Sequence, residues 1–199
     1  MMTRSKSAIA IIAIMALCMP TFGQTTARDW LDKGVLLSNQ INYSEAINAY
    51  DRAIENDPNL TLAWAYKGKG LYALGYYEGA IKAYDNAIQL DQKNATFWVD
   101  KGLALYDLGK KNEAIKAYDR AIKIDPKSAK AWEGKGWVLY IQGSYNDALR
   151  AFDSAIKFDP KFRMAWTGRS FTLEKLGRYV DAEAASRKAL ELGSSSSSH

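Results

Sequence analysis

From residue 27 onward, apolar and small residues recur every three or four positions, which is the pattern of amphipathic α-helices. The helical stretches are separated alternately by a glycine, as at Gly75 and Gly109, and by an Asp-Pro pair, as at Asp125-Pro126. Glycine favours the end of a helix, and proline cannot continue one. The pattern therefore predicts an all-α chain of helical hairpins, each made of a helix, a tight turn, a second helix and a further turn.

Tryptophan marks an internal repeat. Five Trp residues follow one another at intervals of 34 residues, and self-similarity at a fixed period indicates a repeat architecture. Positions within a unit are numbered from 1, so that Trp30 is at position 4. Five units make about ten helices. The units are residues 27–60, 61–94, 95–128, 129–162 and 163–196.

Glycine also recurs at position 8, in the middle of each first helix, where it costs about 1 kcal/mol relative to alanine. A cost repeated at one position predicts a close approach by the backbone of the second helix, with the alanines at position 20 as its small partners. An aromatic row follows at position 24. The glycines are Gly34, Gly68, Gly102 and Gly136, with Ser170 in the last unit; the aromatic residues are Tyr50, Tyr84, Tyr118 and Phe152.

Trp, Gly, Leu, Ala, Tyr or Phe, Ala and Pro at positions 4, 8, 11, 20, 24, 27 and 32 resemble the tetratricopeptide (TPR) repeat. The resemblance covers residues 27–192, and we place the repeat array at residues 28–192. It implies a right-handed α-solenoid of five TPR helix-turn-helix hairpins, in which the first helices line a concave groove.

Two rows of charge depart from the family pattern. Position 7 is lysine in four units and Arg169 in the fifth, whereas the family has a large apolar residue there. Position 25 is aspartate in the first four units and Arg187 in the last. We expect the two rows to pair as an ionic ladder along the array, the alternative being that both are solvated.

The last unit reads as a cap. Positions 21 and 24 are apolar in units 1–4 but are Glu183 and Ser186 in unit 5, and a solenoid needs a polar end face for solubility. The stretch Gly-Ser₅-His at 193–199 is of low complexity and is predicted to be disordered, which ends the array at residue 192.

The resemblance also implies which residues line the groove, at positions 2, 5, 6, 9, 12 and 13. Aromatic side chains there suit capture of a peptide, because they bring a large contact area at a low entropic cost. The alternative is that the tyrosines at position 12 only cover the seam between helices. The candidate groove residues are Tyr66, Lys69, Tyr72, Asp100, Leu103, Tyr106, Lys130, Trp137, Tyr140 and Phe171.

Residues 1–27 read as a targeting segment. Arg4 and Lys6 precede twelve apolar residues at 8–19, which end at Pro20. This order is typical of a secretory signal peptide, and the apolar stretch is shorter than the about 20 residues of a spanning helix. Cleavage after Gly23 or Ala27 is expected, the alternative being an uncleaved N-terminal anchor that tethers the protein to a membrane. Either way the array is predicted to be extracytoplasmic, secreted or in the cell envelope.

Composition narrows the chemistry. Cys18 and His199 are the only cysteine and histidine, and both lie outside the array, which disfavours disulfides, metal sites and cofactors held by Cys or His. Net charge is +5, and without Arg4 and Lys6 it is 25 − 22 = +3, with no run of five like charges. A nucleic-acid role is therefore not expected.

These observations favour a scaffold or adaptor that binds a protein or peptide, with no small-molecule substrate and no enzymatic activity. Two alternatives stay open. One is an array that associates with itself in a purely structural role. The other is a hydrolase based on paired carboxylates, with Asp100, Asp107 and Glu133 as the acids and strongly raised carboxyl pKa values in a closed pocket as its sign.

Overall fold

The computed structural model describes residues 25–194, and within that range all regular structure is helical. The expected all-α fold of five hairpins is confirmed. First helices begin at position 1 of each unit and second helices at position 17. The helices are α1 Ala27–Asn39, α2 Tyr43–Asn56, α3 Thr61–Ala73, α4 Tyr77–Leu90, α5 Ala95–Asp107, α6 Lys111–Ile124, α7 Ala129–Ile141, α8 Tyr145–Phe158, α9 Arg163–Lys175 and α10 Tyr179–Ser194.

The hairpins stack into a solenoid. Each helix packs on the helices before and after it in the chain, and each first helix also contacts the first helix of the next unit. Within residues 25–194, no second helix packs directly on another second helix. The stack therefore curves with α1, α3, α5, α7 and α9 on its inner side, which forms the groove.

The recurring mid-helix glycine makes room for an aromatic ring. A Cβ added at Gly102 would lie 2.8 Å from Cε1 of Tyr118, and one at Gly136 would lie 2.8 Å from Cε1 of Phe152. The expectation that the backbone of the second helix approaches this glycine was wrong. The side chain at position 24 takes the space, and it is almost fully buried in all four units that have it.

The fifth unit loses the ring and the glycine together. Position 24 is Ser186, and position 8 is Ser170, whose hydroxyl donates a buried hydrogen bond to the carbonyl oxygen of Ala182 at 2.9 Å. A side chain fits at position 8 here because no ring needs the space.

The ionic ladder is confirmed. Each carboxylate at position 25 pairs with the cation at position 7 of the next unit: Lys67–Asp51 at 2.5 Å, Lys101–Asp85 at 2.5 Å, Lys135–Asp119 at 2.6 Å and Arg169–Asp153 at 2.7 Å. Each cation also lies 5.4–5.8 Å from the ring centre of the Trp in its own unit. Because the aspartates remain 41–51% exposed, each pair contributes at most about 1 kcal/mol.

The tryptophan row ties each unit to the turn before it. The indole N–H of Trp64 donates to the carbonyl oxygen of Pro58 at 3.0 Å, and Trp132 and Trp166 make the same bond to Pro126 and Pro160. In the turn before unit 3, Gln92 stands at the position where the other three turns have proline. The buried indole nitrogen of Trp98 has no hydrogen-bond partner there.

The turn between the two helices of a hairpin requires a positive φ at position 15. Gly75, Gly109, Gly143 and Gly177 meet this requirement with φ between 73° and 82°. In unit 1 the residue is Ile41, which takes the same conformation at φ 63° with its side chain 74% exposed. A β-branched residue is strained in this region, at a cost of about 1–2 kcal/mol.

Replacing Ile41 by glycine is expected to raise the free energy of unfolding by about 1 kcal/mol, because the strain relieved exceeds the extra chain entropy of glycine. Urea unfolding followed by circular dichroism measures the change. Ile41→Ala is the control, since it removes the exposed side chain but keeps the Cβ. We expect it to raise the free energy of unfolding by less than the glycine variant does. Equal gains from both variants would contradict the strain argument.

The two ends of the array differ from the sequence-based boundaries. Helix α10 continues to Ser194, so Gly193 and Ser194 are helical and the expected end at residue 192 was two residues too early. At the other end, Thr26 caps α1: its side chain accepts from the backbone N–H of Asp29 at 3.2 Å, and its own N–H donates to the Asp29 carboxylate at 2.8 Å. The targeting segment up to residue 24, including Cys18, and the tail beyond Ser194 lie outside the described residues.

Candidate functional site

The groove exposes apolar surface on the first helices. Five large apolar side chains at the groove positions are 39–46% exposed although they lie on helices that pack on both sides. Leu103 and Phe171 were expected from the sequence. Leu62, Ile141 and Met164 were not singled out, although positions 2 and 13 carried the signal that could have found them.

An aromatic cluster forms the wall of the groove in unit 4. Trp137 packs edge-on against Phe152 at 5.4 Å, Tyr140 at 5.9 Å and Phe171 at 6.2 Å between ring centres. Its indole N–H donates to the Glu133 carboxylate at 2.7 Å. Trp137 is thus half-buried and belongs partly to the core, which makes the more exposed Phe171 the better probe of binding.

A polar cluster lies towards the N-terminal half of the groove. The hydroxyl of Tyr72 donates a short hydrogen bond to Asp107 in the next unit, and its ring packs on Tyr77 at 5.5 Å. The ammonium of Lys69 lies 3.6 Å from Oδ2 of Asp100. The Tyr72–Asp107 and Lys69–Asp100 contacts join neighbouring first helices, as expected of a tyrosine that covers the seam, while Asp107 stays exposed.

The remaining candidates divide between packing and exposure. Tyr66 stacks on Tyr50 at 5.9 Å, with the Lys69 ammonium 5.7 Å from the Tyr66 ring centre. Tyr106 packs partly buried against the core of units 3 and 4. Lys130 is exposed at the start of α7.

Two groove carboxylates have raised pKa values. Burial raises the pKa of Asp100, against a lowering by Lys69 and Lys130. Burial likewise raises the pKa of Glu133, and the hydrogen bond from Trp137 lowers it in part. A raised pKa in the folded state means that ionisation of the carboxyl group opposes folding. The contribution of each carboxyl group to the free energy of unfolding therefore falls as the pH rises from its pKa in the unfolded chain to its pKa in the folded one.

The hydrolase alternative required strongly raised carboxyl pKa values in a closed pocket, and the upward shifts of the Asp100 and Glu133 pKa values are not large. Paired catalysis also needs two carboxylates that act on the same bond. In the structure Asp100 is paired with Lys69, Asp107 with Tyr72 and Glu133 with Trp137, so each acid has a separate partner. The three carboxylates therefore have structural roles in the wall of the groove. The absence of enzymatic activity remains a prediction.

Within residues 25–194 no group of three Asp, Glu, His or Cys side chains is arranged to hold a metal ion. Of the ten helices that the structure describes, none is long and apolar enough to cross a membrane.

Sequence comparison identifies the repeat. The family model described as "Tetratricopeptide repeat" matches four overlapping stretches, residues 31–95, 67–129, 99–162 and 135–197. No curated protein sequence matches the chain.

Solved structures share the fold. The crystal structure of MamA is 26% identical, with a TM-score of 0.73 over 83% of this chain and 97% of MamA. PilW, titled a widely conserved type IV pilus biogenesis factor, is 20% identical, with a TM-score of 0.77 over 86% of this chain and 79% of PilW. YrrB, titled a TPR protein with an unusual peptide-binding site, is 21% identical, with a TM-score of 0.66 over 92% and 91%.

Proposed function

The chain belongs to the tetratricopeptide repeat family, and we propose that it is an extracytoplasmic scaffold whose concave groove binds an extended segment of another protein. Proteins built from this repeat generally act as protein–protein interaction scaffolds without enzymatic activity. The groove as binding site, the segment as ligand and the location outside the cytoplasm are the parts that we propose.

The observation that carries the proposal is the exposed apolar row on the first helices. Leu62, Leu103, Ile141, Met164 and Phe171 leave 39–46% of their surfaces in water, all at groove positions. A partner that covered this row would remove its apolar surface from water, at roughly 25 cal/mol for each Å². The raised pKa values of Asp100 and Glu133 also support a binding role, because groups kept at a cost to stability are common at functional sites.

The groove is tested by removing exposed apolar surface without disturbing the core. Immobilised full chain is incubated with envelope proteins of the source organism, and the retained partner is then titrated against purified variants. We expect Leu103→Ala/Phe171→Ala to weaken binding by about tenfold or more, as loss of central apolar contacts does. Trp137→Ala is less suitable, because Trp137 packs on the buried Phe152.

The matched control removes exposed apolar side chains outside the groove. Leu74, 37% exposed, lies at the turn after α3, and Val180, 83% exposed, lies in the first turn of α10. The Leu74→Ala/Val180→Ala variant should bind as the wild type does. A partner retained equally by both double variants would move the binding site to the convex face or the turns.

The proposed location rests on the sequence pattern of residues 1–23, and the cap of α1 supports one of the two cleavage sites. Cleavage after Gly23 leaves Thr26, which caps the helix, and Thr25, whose carbonyl accepts from the Asn56 side chain at 3.1 Å. Cleavage after Ala27 removes both contacts. Since loss of such a cap costs about 1 kcal/mol, we propose that the mature chain begins at Gln24.

Intact-mass measurement on protein from the cell envelope or culture fluid tests this directly. The expected mass is that of residues 24–199. A mass for the full chain in the membrane fraction would establish an uncleaved anchor, and recovery from the cytoplasm would overturn the proposed location.

The alternative function is a structural array in which copies of the chain stack end to end. The residues at the two ends of the solenoid disfavour it. Position 3 is buried and apolar in units 2–5, as at Ala63 and Phe97, but is Asp29 in unit 1. At the other end, Ser186 and Arg187 replace the aromatic residue and the aspartate of the ladder. Joining two copies in repeat register would bring Arg187 against Lys33, a pair of like charges that opposes association.

A further inference from the structure

An open cleft lies between the two helices of the fifth unit, at the C-terminal end of the groove. Its volume is about 550 Å³. Two of its wall residues, Thr167 and Phe171, occupy groove positions 5 and 9, so the cleft opens onto the groove. The other residues that line it are Arg163, Ser170, Ser186, Ala189, Leu190, Gly193 and Ser194.

One of the four junctions between units shows an aromatic ring in the equivalent space, whereas the corresponding residue at the other three is alanine, namely Ala63, Ala131 and Ala165. Between units 2 and 3, the ring of Phe97 is only 5% exposed and packs with Ala65, Ala87 and Ile88. Those three residues are at positions 5, 27 and 28 of unit 2. The same positions in unit 5 are Thr167, Ala189 and Leu190, three of the residues that line the cleft.

The fifth unit leaves this apolar wall open. Leu190 is 71% exposed, whereas its counterpart Ile88 under Phe97 is 7% exposed. Ser186 stands where units 1–4 carry an aromatic ring, so the chain's own second helix places no ring in the cleft.

Two hydroxyl groups in the cleft already donate hydrogen bonds within the chain. The hydroxyl of Thr167 donates to the carbonyl oxygen of Arg163 at 3.2 Å, and that of Ser170 donates to the carbonyl oxygen of Ala182 at 2.9 Å. Their hydrogen-bond donors are therefore not offered to a ligand. An apolar occupant of the size of Phe97 fits this lining better than a polar one.

We propose that the cleft is a side-chain pocket for an aromatic residue, Phe or Tyr, of the partner segment that lies in the groove. The proposal rests on the proposed function, because the segment reaches the cleft by running past Phe171. It adds a specificity rule, namely that the segment carries an aromatic residue at the end that binds unit 5.

The test is an NMR titration of the full chain with N-acetyl-phenylalaninamide, with N-acetyl-leucinamide and N-acetyl-alaninamide as matched probes. We expect saturable shifts of the backbone amide signals of Phe171, Ser186 and Leu190 with the phenylalanine probe. The leucine probe should bind several times more weakly, and the alanine probe should give no saturable shift.

Leu190→Lys is the variant that removes the wall, and its high exposure makes a folding defect unexpected. It should weaken binding of the phenylalanine probe by about tenfold or more, since an ammonium replaces the main apolar contact. Val180→Lys is the matched control on the same helix, at 83% exposure and outside the cleft, and it should bind as the wild type does.

Three outcomes would overturn the pocket: no saturable shift at these amides, equal binding of the leucine probe, or unchanged binding by the Leu190→Lys variant. These outcomes are separate from failure of the proposed function. If the envelope partner is still lost from Leu103→Ala/Phe171→Ala, the groove stands and only the aromatic rule falls.

Discussion

Replacing Phe152 by alanine is expected to lower the free energy of unfolding by about 3 to 5 kcal/mol. Its side chain is fully buried and lies between Gly136 of its own unit and Gly168 of the next. It also supports Trp137, whose ring centre is 5.4 Å away. Neither glycine has a side chain that can move into the cavity, so truncation loses the transfer free energy of the ring and leaves a void.

The matched control is Phe152→Tyr. Tyr118 sits between Gly102 and Gly134 in the same arrangement, so a tyrosine already fits such a site in this array. We expect the tyrosine variant to unfold within about 1 kcal/mol of the wild type, because the equivalent site of Tyr118 accommodates the additional hydroxyl. Guanidinium unfolding followed by circular dichroism gives both values.

The shape of the unfolding curve carries further information. Units contact only their neighbours, so the stability of the array is close to a sum over units and junctions. Loss of Phe152 weakens the junction between units 4 and 5, and we expect these units to unfold before the rest. A small loss, below about 1 kcal/mol, would contradict the buried position of this ring.

Replacing Gly136 by valine is the second large effect, with an expected loss of about 2 to 3 kcal/mol. A Cβ at this position would lie 2.8 Å from Cε1 and 2.9 Å from Cδ1 of Phe152. The ring is held on its other face by Gly168 and α9, so it cannot retreat without opening the junction. Overpacking therefore outweighs the gain in helix propensity, which is below about 1 kcal/mol.

Gly79→Val separates this clash from the general effect of removing a helical glycine. A Cβ at Gly79 would lie 3.5 Å from the nearest atom, in Leu71, which is ordinary contact. We expect that variant to unfold within about 0.5 kcal/mol of the wild type. Urea unfolding measures both variants, and equal losses at the two positions would show that the Phe152 ring is not what requires glycine at position 8.

The candidate site shows where sequence reasoning succeeds and where it stops. Placing Phe171 and Leu103 in the groove needed only the repeat register and the family's groove positions. Their exposure, and the burial of Trp137 against Phe152, depend on how two hairpins pack. The cleft in unit 5 could not be predicted, because it depends on how α9 and α10 pack and on how much of Thr167, Ala189 and Leu190 they leave uncovered.

The number and the order of the helices follow from local signals in the amino-acid sequence. Helix breakers such as Gly75 and Pro126 act on residues within a few positions, and the 34-residue period repeats the turn glycine in four units and the turn proline in three. The ladder was also visible, because charge at one position of every unit is a periodic signal. The polar residue Ser186 likewise predicted that no further hairpin packs on unit 5.

The group that occupies the space beside each mid-helix glycine follows from the packing of the helices and not from local sequence. Gly102 and Tyr118 are 16 residues apart and lie on different helices, so their contact depends on the distance and angle between those helices. The positive φ of Ile41 has the same origin, because the packing of α1 on α2 imposes the turn that glycine makes elsewhere. Local signals set where the helices begin and end, while contacts between helices set which side chains they bury and which they leave for a partner.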